Sequence, residues 1–202
     1  PSSAQGGTSG TTSTTVQVVL RDMHGHVTIV ATCACTQFAW SPDGEHIVYS
    51  TGSSYTIFNL KDRSSISTSG EEGGIPYWSP DSQFLLLDSL HALTLIDIGS
   101  KRQQPLLSGS DGGAARQNNA NNVNVLLQPM SNSPWATDSR HFLFLTRERL
   151  VWQGKSLSPG KGLYTVTIDN SAQVQGAPTA VDTGNDSQAG WTYENPNTSF
   201  LF

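Results

Sequence analysis

Charge is scarce in this 202-residue chain: only 13% of its residues are charged, and 11 Lys and Arg stand against 16 Asp and Glu. A nucleic-acid surface normally carries a basic stripe, so the balance of −5 argues against nucleic acid as a partner. Long apolar runs are missing too. No stretch approaches about 18 residues, and no membrane insertion by this segment is expected. There is no Gly-x-Ser-x-Gly elbow, no His-Glu-x-x-His pair and no phosphate-cradling Gly-Lys loop, so no catalytic residue, metal ligand or cofactor is assigned. Ser, His and Asp residues are present, but nothing arranges them into a triad. Cysteine is limited to Cys33 and Cys35. On a strand these two point to one face, and a disulfide between such near neighbours is strained, so two small buried thiols are expected. A metal pair completed by outside histidines would want a wider spacing. The chain opens on Pro1 without a signal peptide and reads as a piece of a longer protein.

What the sequence does contain is one sentence written four times. Trp40-Ser41-Pro42-Asp43-Gly44 precedes the apolar run His46 to Ser50, and Trp78-Ser79-Pro80-Asp81-Ser82 precedes Phe84 to Leu87. Trp135-Ala136-Thr137-Asp138-Ser139 precedes Phe142 to Leu145, and Trp191-Thr192-Tyr193-Glu194-Asn195 loosely precedes Phe200 to Phe202. Ser-Pro-Asp-Gly is turn chemistry: Pro presets its own backbone angle, Asp bonds to nearby backbone and Gly accepts a positive φ. Each unit therefore opens as strand A, tight turn, strand B. A third apolar segment follows at Tyr55–Leu60, Leu93–Ile98 and Leu163–Asp169, giving strand C. A weaker strand D lies near Ser65–Ser67, Pro105–Leu107 and Pro178–Val181.

Self-similarity at roughly 40 to 50 residues with four strands per unit is the pattern of a radial array of small sheets. These residues resemble the TolB-type (WD-repeat-like) β-propeller, whose blades carry a Trp-Ser-Pro-Asp-Gly turn between strands A and B. The resemblance spans most of residues 16 to 202 and weakens at Trp191. It implies an all-β propeller fold, and since that family includes transport accessories, peptidase domains and lyases, it fixes no single activity.

Taken in order, residues 1 to 14 hold no large apolar side chain and read as a flexible Ser/Thr/Gly linker ahead of a propeller domain at 15–202. Val16–Asp22 and His26–Thr32 then read as strands C and D without A and B. Ala189–Trp191 and Thr198–Phe202 read as strands A and B without C and D. The expectation is a four-bladed β-propeller closed by pairing of the N-terminal strands with the C-terminal strands, because pairing the ends hides strand edges that would otherwise stay open. The continuous blades fall at about 33 to 68, 73 to 108 and 130 to 182. Cutting from a larger ring is the alternative.

Antiparallel order puts the A-to-B and C-to-D turns on one rim. Both long insertions, the D-to-A loop 109 to 132 and the B-to-C loop 147 to 161, fall on the other, entering and leaving the third blade, and loops of such length are usually functional or disordered. Arg116, Asn118, Asn119, Asn121 and Asn122 in the first, and Arg147, Trp152 and Lys155 in the second, are the candidate partner-binding residues. Trp152 reads either as an exposed platform for a sugar or protein or as a hydrophobic pin for its own hairpin. Asp43, Asp81 and Asp138 are read as turn residues rather than an acidic ring. His24 and His26 read as a surface turn. Together these point to a non-catalytic propeller for protein, small-molecule or glycan binding, a sensor or scaffold outside the bacterial cytoplasm. The competing reading is an accessory or catalytic propeller of a hydrolase or lyase. A binding module predicts no strongly shifted titratable group; an enzyme predicts a pocket with converging His or carboxylates.

Overall fold

The computed structural model describes residues 15–35, 37–51, 54–69, 74–88, 92–108, 127–128, 133–146, 151–152, 155–156, 162–182, 190–191 and 200–201. All regular structure among them is β-strand. The chain enters through a hairpin, β1 (Val16–Arg21) and β2 (Val27–Cys33), turned at Gly25, whose φ is 86°. Three antiparallel four-stranded sheets follow. The first holds β3 (Phe38–Trp40), β4 (His46–Ser50), β5 (Ser54–Asn59) and β6 (Ser65–Ser69), paired in chain order. The second holds β7 (Ile75–Trp78), β8 (Phe84–Asp88), β9 (Ala92–Asp97) and β10 (Arg102–Ser108), again in chain order. The third pairs β11 (Leu127–Gln128) with β12 (His141–Thr146), and after an inserted hairpin of β13 (Val151–Trp152) and β14 (Lys155–Ser156) it continues through β15 (Gly162–Thr167) and β16 (Thr179–Asp182). A last hairpin joins β17 (Gly190–Trp191) to β18 (Phe200–Leu201).

The sheets stack face to face, and the apolar runs of the B strands follow from that. A strand covered on one face alternates apolar with polar residues, whereas one covered on both is apolar throughout. In β8, Leu85 and Leu87 enter a core shared with Val48, Tyr55 and Ile57 of the first sheet. Phe84 and Leu86 enter the opposite core, shared with Trp135, Phe142, Phe144 and Tyr164 of the third. Every residue of β8 is accordingly buried.

The repeated turn sets the joints between sheets. Ser41, Ser79 and Ala136 donate their amides to the carbonyls of His46, Phe84 and His141, closing each A-to-B turn. The fifth residue of each unit is left-handed: Gly44 at φ 74°, Ser82 at 61° and Ser139 at 58°. Two bonds then cross from sheet to sheet at the same register. Trp78 Nε1–H donates to the Ala39 carbonyl at 3.3 Å, and Trp135 Nε1–H to the Tyr77 carbonyl at 3.0 Å, each acceptor being the residue before the preceding sheet's tryptophan. The Asp43 amide donates to Ser82 Oγ and the Asp81 amide to Ser139 Oγ, both at 3.0 Å.

Three expectations change, while for a fourth, the blade shared between the chain's ends, β1–β2 and β17–β18 are separate two-stranded sheets with no ladder joining them among the described residues. In β17–β18 Trp191 meets Phe200 two positions later than Trp40 meets Ile47 or Trp78 meets Leu85. Trp40 is 50% exposed, unlike Trp78 at 7% and Trp135 at 3%, so the repeated tryptophans do not share one environment. Strand A of the third unit is split into β11 and a lone Trp135–Phe142 bridge. Cys33 and Cys35 are joined by a disulfide rather than held as thiols. The chain leaves the β2 ladder at Cys33, and the Cα atoms lie 5.2 Å apart, inside the range a disulfide spans.

Candidate functional site

The turn rim is occupied by its own hydrogen bonding. Asp43 accepts from Ser41 Oγ and the Glu45 amide, Asp81 from Ser79 Oγ and the Gln83 amide, and Asp138 from the Arg140 and His141 amides. Partial burial works against charge at all three, but these donors outweigh it and hold each carboxyl below its ordinary range. They are turn residues with no acidic ring between them. Asp22 plays the same part in the β1–β2 turn, accepting from the His24 and His26 amides and from His26 Nδ1, all on the surface.

Arg140 occupies the rim at the second joint. It pairs with Asp81 at 2.7 Å, donates to Asn170 and Gln83, and lies 5.0 Å above the Phe84 ring. Its first-joint counterpart is Gln83, so the two joints differ by one ionic latch. The sequence reading passed over Arg140, since only the cross-sheet alignment of the turns brings it opposite Asp81.

A cavity of about 100 Å³ opens between the first and second sheets, lined by Ile57, Ile66 and Ile98 with His46, Asn59 and Lys101 among its polar groups. Asn59 Oδ1 accepts from the Lys61 and Asp62 amides, which turns its NH₂ toward His46 Nε2 at 3.1 Å. Nε2 is therefore the acceptor and Nδ1 carries the proton, buried and without a partner among the described residues. This space holds about three waters, which is far short of an organic ligand pocket.

On the opposite rim the three B strands end in Ser50, Asp88 and Thr146, all buried. Asp88 is 6% exposed, has no side-chain partner among the described residues, and is pushed up to about 7 by burial alone. The expectation of no strongly shifted group is thus overturned at this one position. Among the described residues no histidine or second carboxylate is paired with Asp88. The sequence signal was available: a carboxylate closes a strand whose other residues are all apolar.

Of the candidate binding residues, Arg116, Asn118, Asn119, Asn121, Asn122 and Arg147 lie outside the described residues. Lys155 pairs with Trp152 across the β13–β14 hairpin. Trp152 is 4% exposed and sits in the core cluster with Leu93, Leu95 and Leu106 of the second sheet, so the exposed platform gives way to a buried anchor. β13 also touches β10, so the insertion leaves the third sheet and leans on the second.

An all-β protein of stacked antiparallel meanders is the class these features define. No family model matches the sequence, and no curated protein does. Among solved structures the chain is similar to the N-terminal domain of Nup159, at 10% identity over 79% of this chain and 35% of that one, with a TM-score of 0.42. It is also similar to the C-terminal WD40 domain of Sif2, at 12% identity, 89% and 58% coverage and a TM-score of 0.41. A third is an auxiliary nutrient binding protein from Bacteroides thetaiotaomicron, at 12% identity, 86% and 38% coverage and 0.43. The chain spans between about a third and two-thirds of the length of the first structures it matches.

Proposed function

We propose that this chain is a four-bladed β-propeller, of the TolB type, that serves as a non-catalytic recognition module. In this reading the hairpin β17–β18 supplies strands A and B of a fourth blade and β1–β2 supplies C and D. The module acts outside the cytoplasm of a bacterium, tethered through residues 1 to 14, and its partner is a protein or a small-molecule or glycan ligand.

The observation that carries the reading is the rooting of the β13–β14 insertion. The turn rim is consumed by joint bonds, so recognition falls to loops held on a rigid base. Trp152 plants one such loop in the core between two sheets, while the same insertion carries Arg147, Arg149, Lys155 and Lys161 in an acidic chain. The 109–132 insertion enters the same third sheet at β11.

A glycan array and an array of secreted bacterial proteins, probed with the labelled chain, test this. Binding should be lost in Arg147→Glu/Lys155→Glu while the thermal midpoint stays within about 2 °C, since surface changes of this kind rarely exceed a few tenths of a kcal/mol. Binding that ignores both charge reversals would move recognition off this loop. Turnover of a panel of ester, peptide and glycoside substrates, abolished by Asp88→Asn, would replace the module with an enzyme.

A further inference from the structure

The disulfide Cys33–Cys35 does little of what a structural disulfide does. Closing a loop stabilises a fold by restricting the unfolded chain, and the restriction grows with the number of residues enclosed. Here the bridge encloses Ala34 alone. It pins no core either: both cysteines are half-buried, Ala34 is exposed, and neither cysteine belongs to an apolar cluster among the described residues.

Its place in the chain is more telling. Cys33 is the last residue of β2, laddered to the exposed Val16 at the open end of the hairpin. Two residues beyond Cys35, Gln37 is fixed to the first sheet, where its amide donates to Ser50 Oγ at 3.1 Å and its carbonyl accepts the Ser50 amide at 2.9 Å. Among the described residues β1–β2 shares no ladder with another sheet, so the bridge spans the connection between a separate hairpin and the stacked array. Extended backbone would hold Cα atoms two residues apart at about 6.6 to 7.2 Å, whereas these stand at 5.2 Å. Opening the bond therefore lets the connection straighten. A bridge between such near neighbours closes only on bent backbone, and accessible or strained disulfides are the ones that exchange. The chain has no third cysteine with which the pair could reshuffle.

We propose that Cys33–Cys35 is a thiol–disulfide exchange site for a low-molecular-weight thiol, and that its redox state sets the freedom of the β1–β2 hairpin against the first sheet. A thiolate of the small thiol attacks one cysteine sulfur. The S–S bond breaks, a mixed disulfide forms, and the bonding pair leaves on the other cysteine as its thiolate. A second small thiolate attacks its own kind's sulfur in the mixed disulfide and releases the second cysteine. Two small thiols are oxidised to one disulfide, the cystine is reduced, and the protons shed by the attacking thiols end on Cys33 and Cys35. The same steps run backwards close the bridge. This goes beyond the recognition reading and stands whether or not that reading does.

The oxidised full chain, equilibrated near neutral pH with graded ratios of reduced and oxidised glutathione, alkylated and weighed by mass spectrometry, tests the site. Both cysteines should become alkylated in reducing mixtures that leave a structural disulfide closed, with a singly glutathionylated chain as the intermediate. Reduction should lower the thermal midpoint by less than about 6 °C, as befits so small a loop. The Gln37 and Ser50 amides should exchange about tenfold or more faster in the reduced chain while the β8 amides are unchanged, and Cys33→Ala/Cys35→Ala should match the reduced chain. A bridge that glutathione opens only in urea overturns the site, and a larger fall in the midpoint overturns it in favour of a structural staple. Cysteines that stay alkylatable in oxidised glutathione overturn the bridge itself. Exchange that leaves Gln37 and Ser50 unmoved overturns the coupling to the hairpin.

Discussion

Trp40 and Trp78 occupy one position in one repeated turn, each paired across its hairpin with the second residue of strand B, yet one is half in solvent and the other is buried. Their own sheets do not explain the difference, because the A–B–C–D pairing is the same in both. The sheet upstream does. Trp78 has Ala39 to bond and the Val48, Tyr55 and Ile57 wall to fill, whereas Trp40 has no such sheet packed over it among the described residues. In a stacked array the energetic unit is thus the joint between sheets, and a repeat residue acquires its role only when its neighbour is in place.

The largest expected effect breaks that comparison directly. Trp78→Ala should cost about 3 to 5 kcal/mol by urea unfolding, the usual penalty for emptying a packed aromatic site. Trp40→Ala in the chain ending at residue 188 should cost below about 1 kcal/mol, as expected of a half-exposed side chain. Equal losses would mean the joint does not set the tryptophan's contribution.

Next comes the buried carboxyl between the joints. Asp88 in the folded chain holds its proton up to about pH 7, while in the unfolded chain it releases it near the ordinary carboxyl value of 3.8. The folded form therefore binds the proton more tightly, so stability is fully present below the unfolded value and is lost as pH rises through the folded one. The fall amounts to about 4 kcal/mol between pH 4 and 7. The turn aspartates act with the opposite sign: their lowered values stabilise the fold above about pH 4, and that contribution goes as pH drops further. Stability measured against pH should peak near pH 4 to 5, and Asp88→Asn should flatten the neutral limb. A wild-type profile that rises from pH 5 to 7 would contradict the assignment.

Smaller effects sharpen the contrast between the two joints. Arg140→Ala removes the latch present only at the second joint and should cost about 1 to 2 kcal/mol, discounted because Arg140 and Asp81 are partly exposed. Gln83→Ala, its first-joint counterpart, should be close to neutral. Ser139→Ala should cost about 1 kcal/mol through the lost acceptor. Ser139→Gly should cost less, because glycine relieves the left-handed φ of 58°. A larger loss for glycine would show that the left-handed φ at this position carries no strain for glycine to relieve.

The strands were legible wherever turn chemistry and apolar runs coincided. Trp78-Ser79-Pro80-Asp81 and the run after it place β7 and β8 without ambiguity, and the role of Asp81 as a turn acceptor follows from its position. What the sequence could not convey was the state of the ends. Among the described residues β18 is only two residues long, and no residue pattern at that length specifies the register of a partner strand. The Cys33–Cys35 disulfide is illegible for a related reason: extended backbone would hold the two thiols apart, and only where the chain leaves β2 at Cys33 do their Cα atoms come within 5.2 Å. Trp152 left two readings open because a tryptophan outside the repeat register looks the same whether it faces solvent or a neighbouring sheet's Leu106.

The joint itself can be measured at two backbone amides. Asp43 and Asp81 lie in solvent-facing turns, and the account holds that their N–H groups are tied to Ser82 and Ser139 of the next sheet. Native-state hydrogen exchange should find both protected nearly as long as the β8 amides, with Asp81 protection falling about tenfold in Ser139→Ala. Exchange of both amides at the rate of open turns in the wild-type chain would contradict the claim that the sheets are locked in this register.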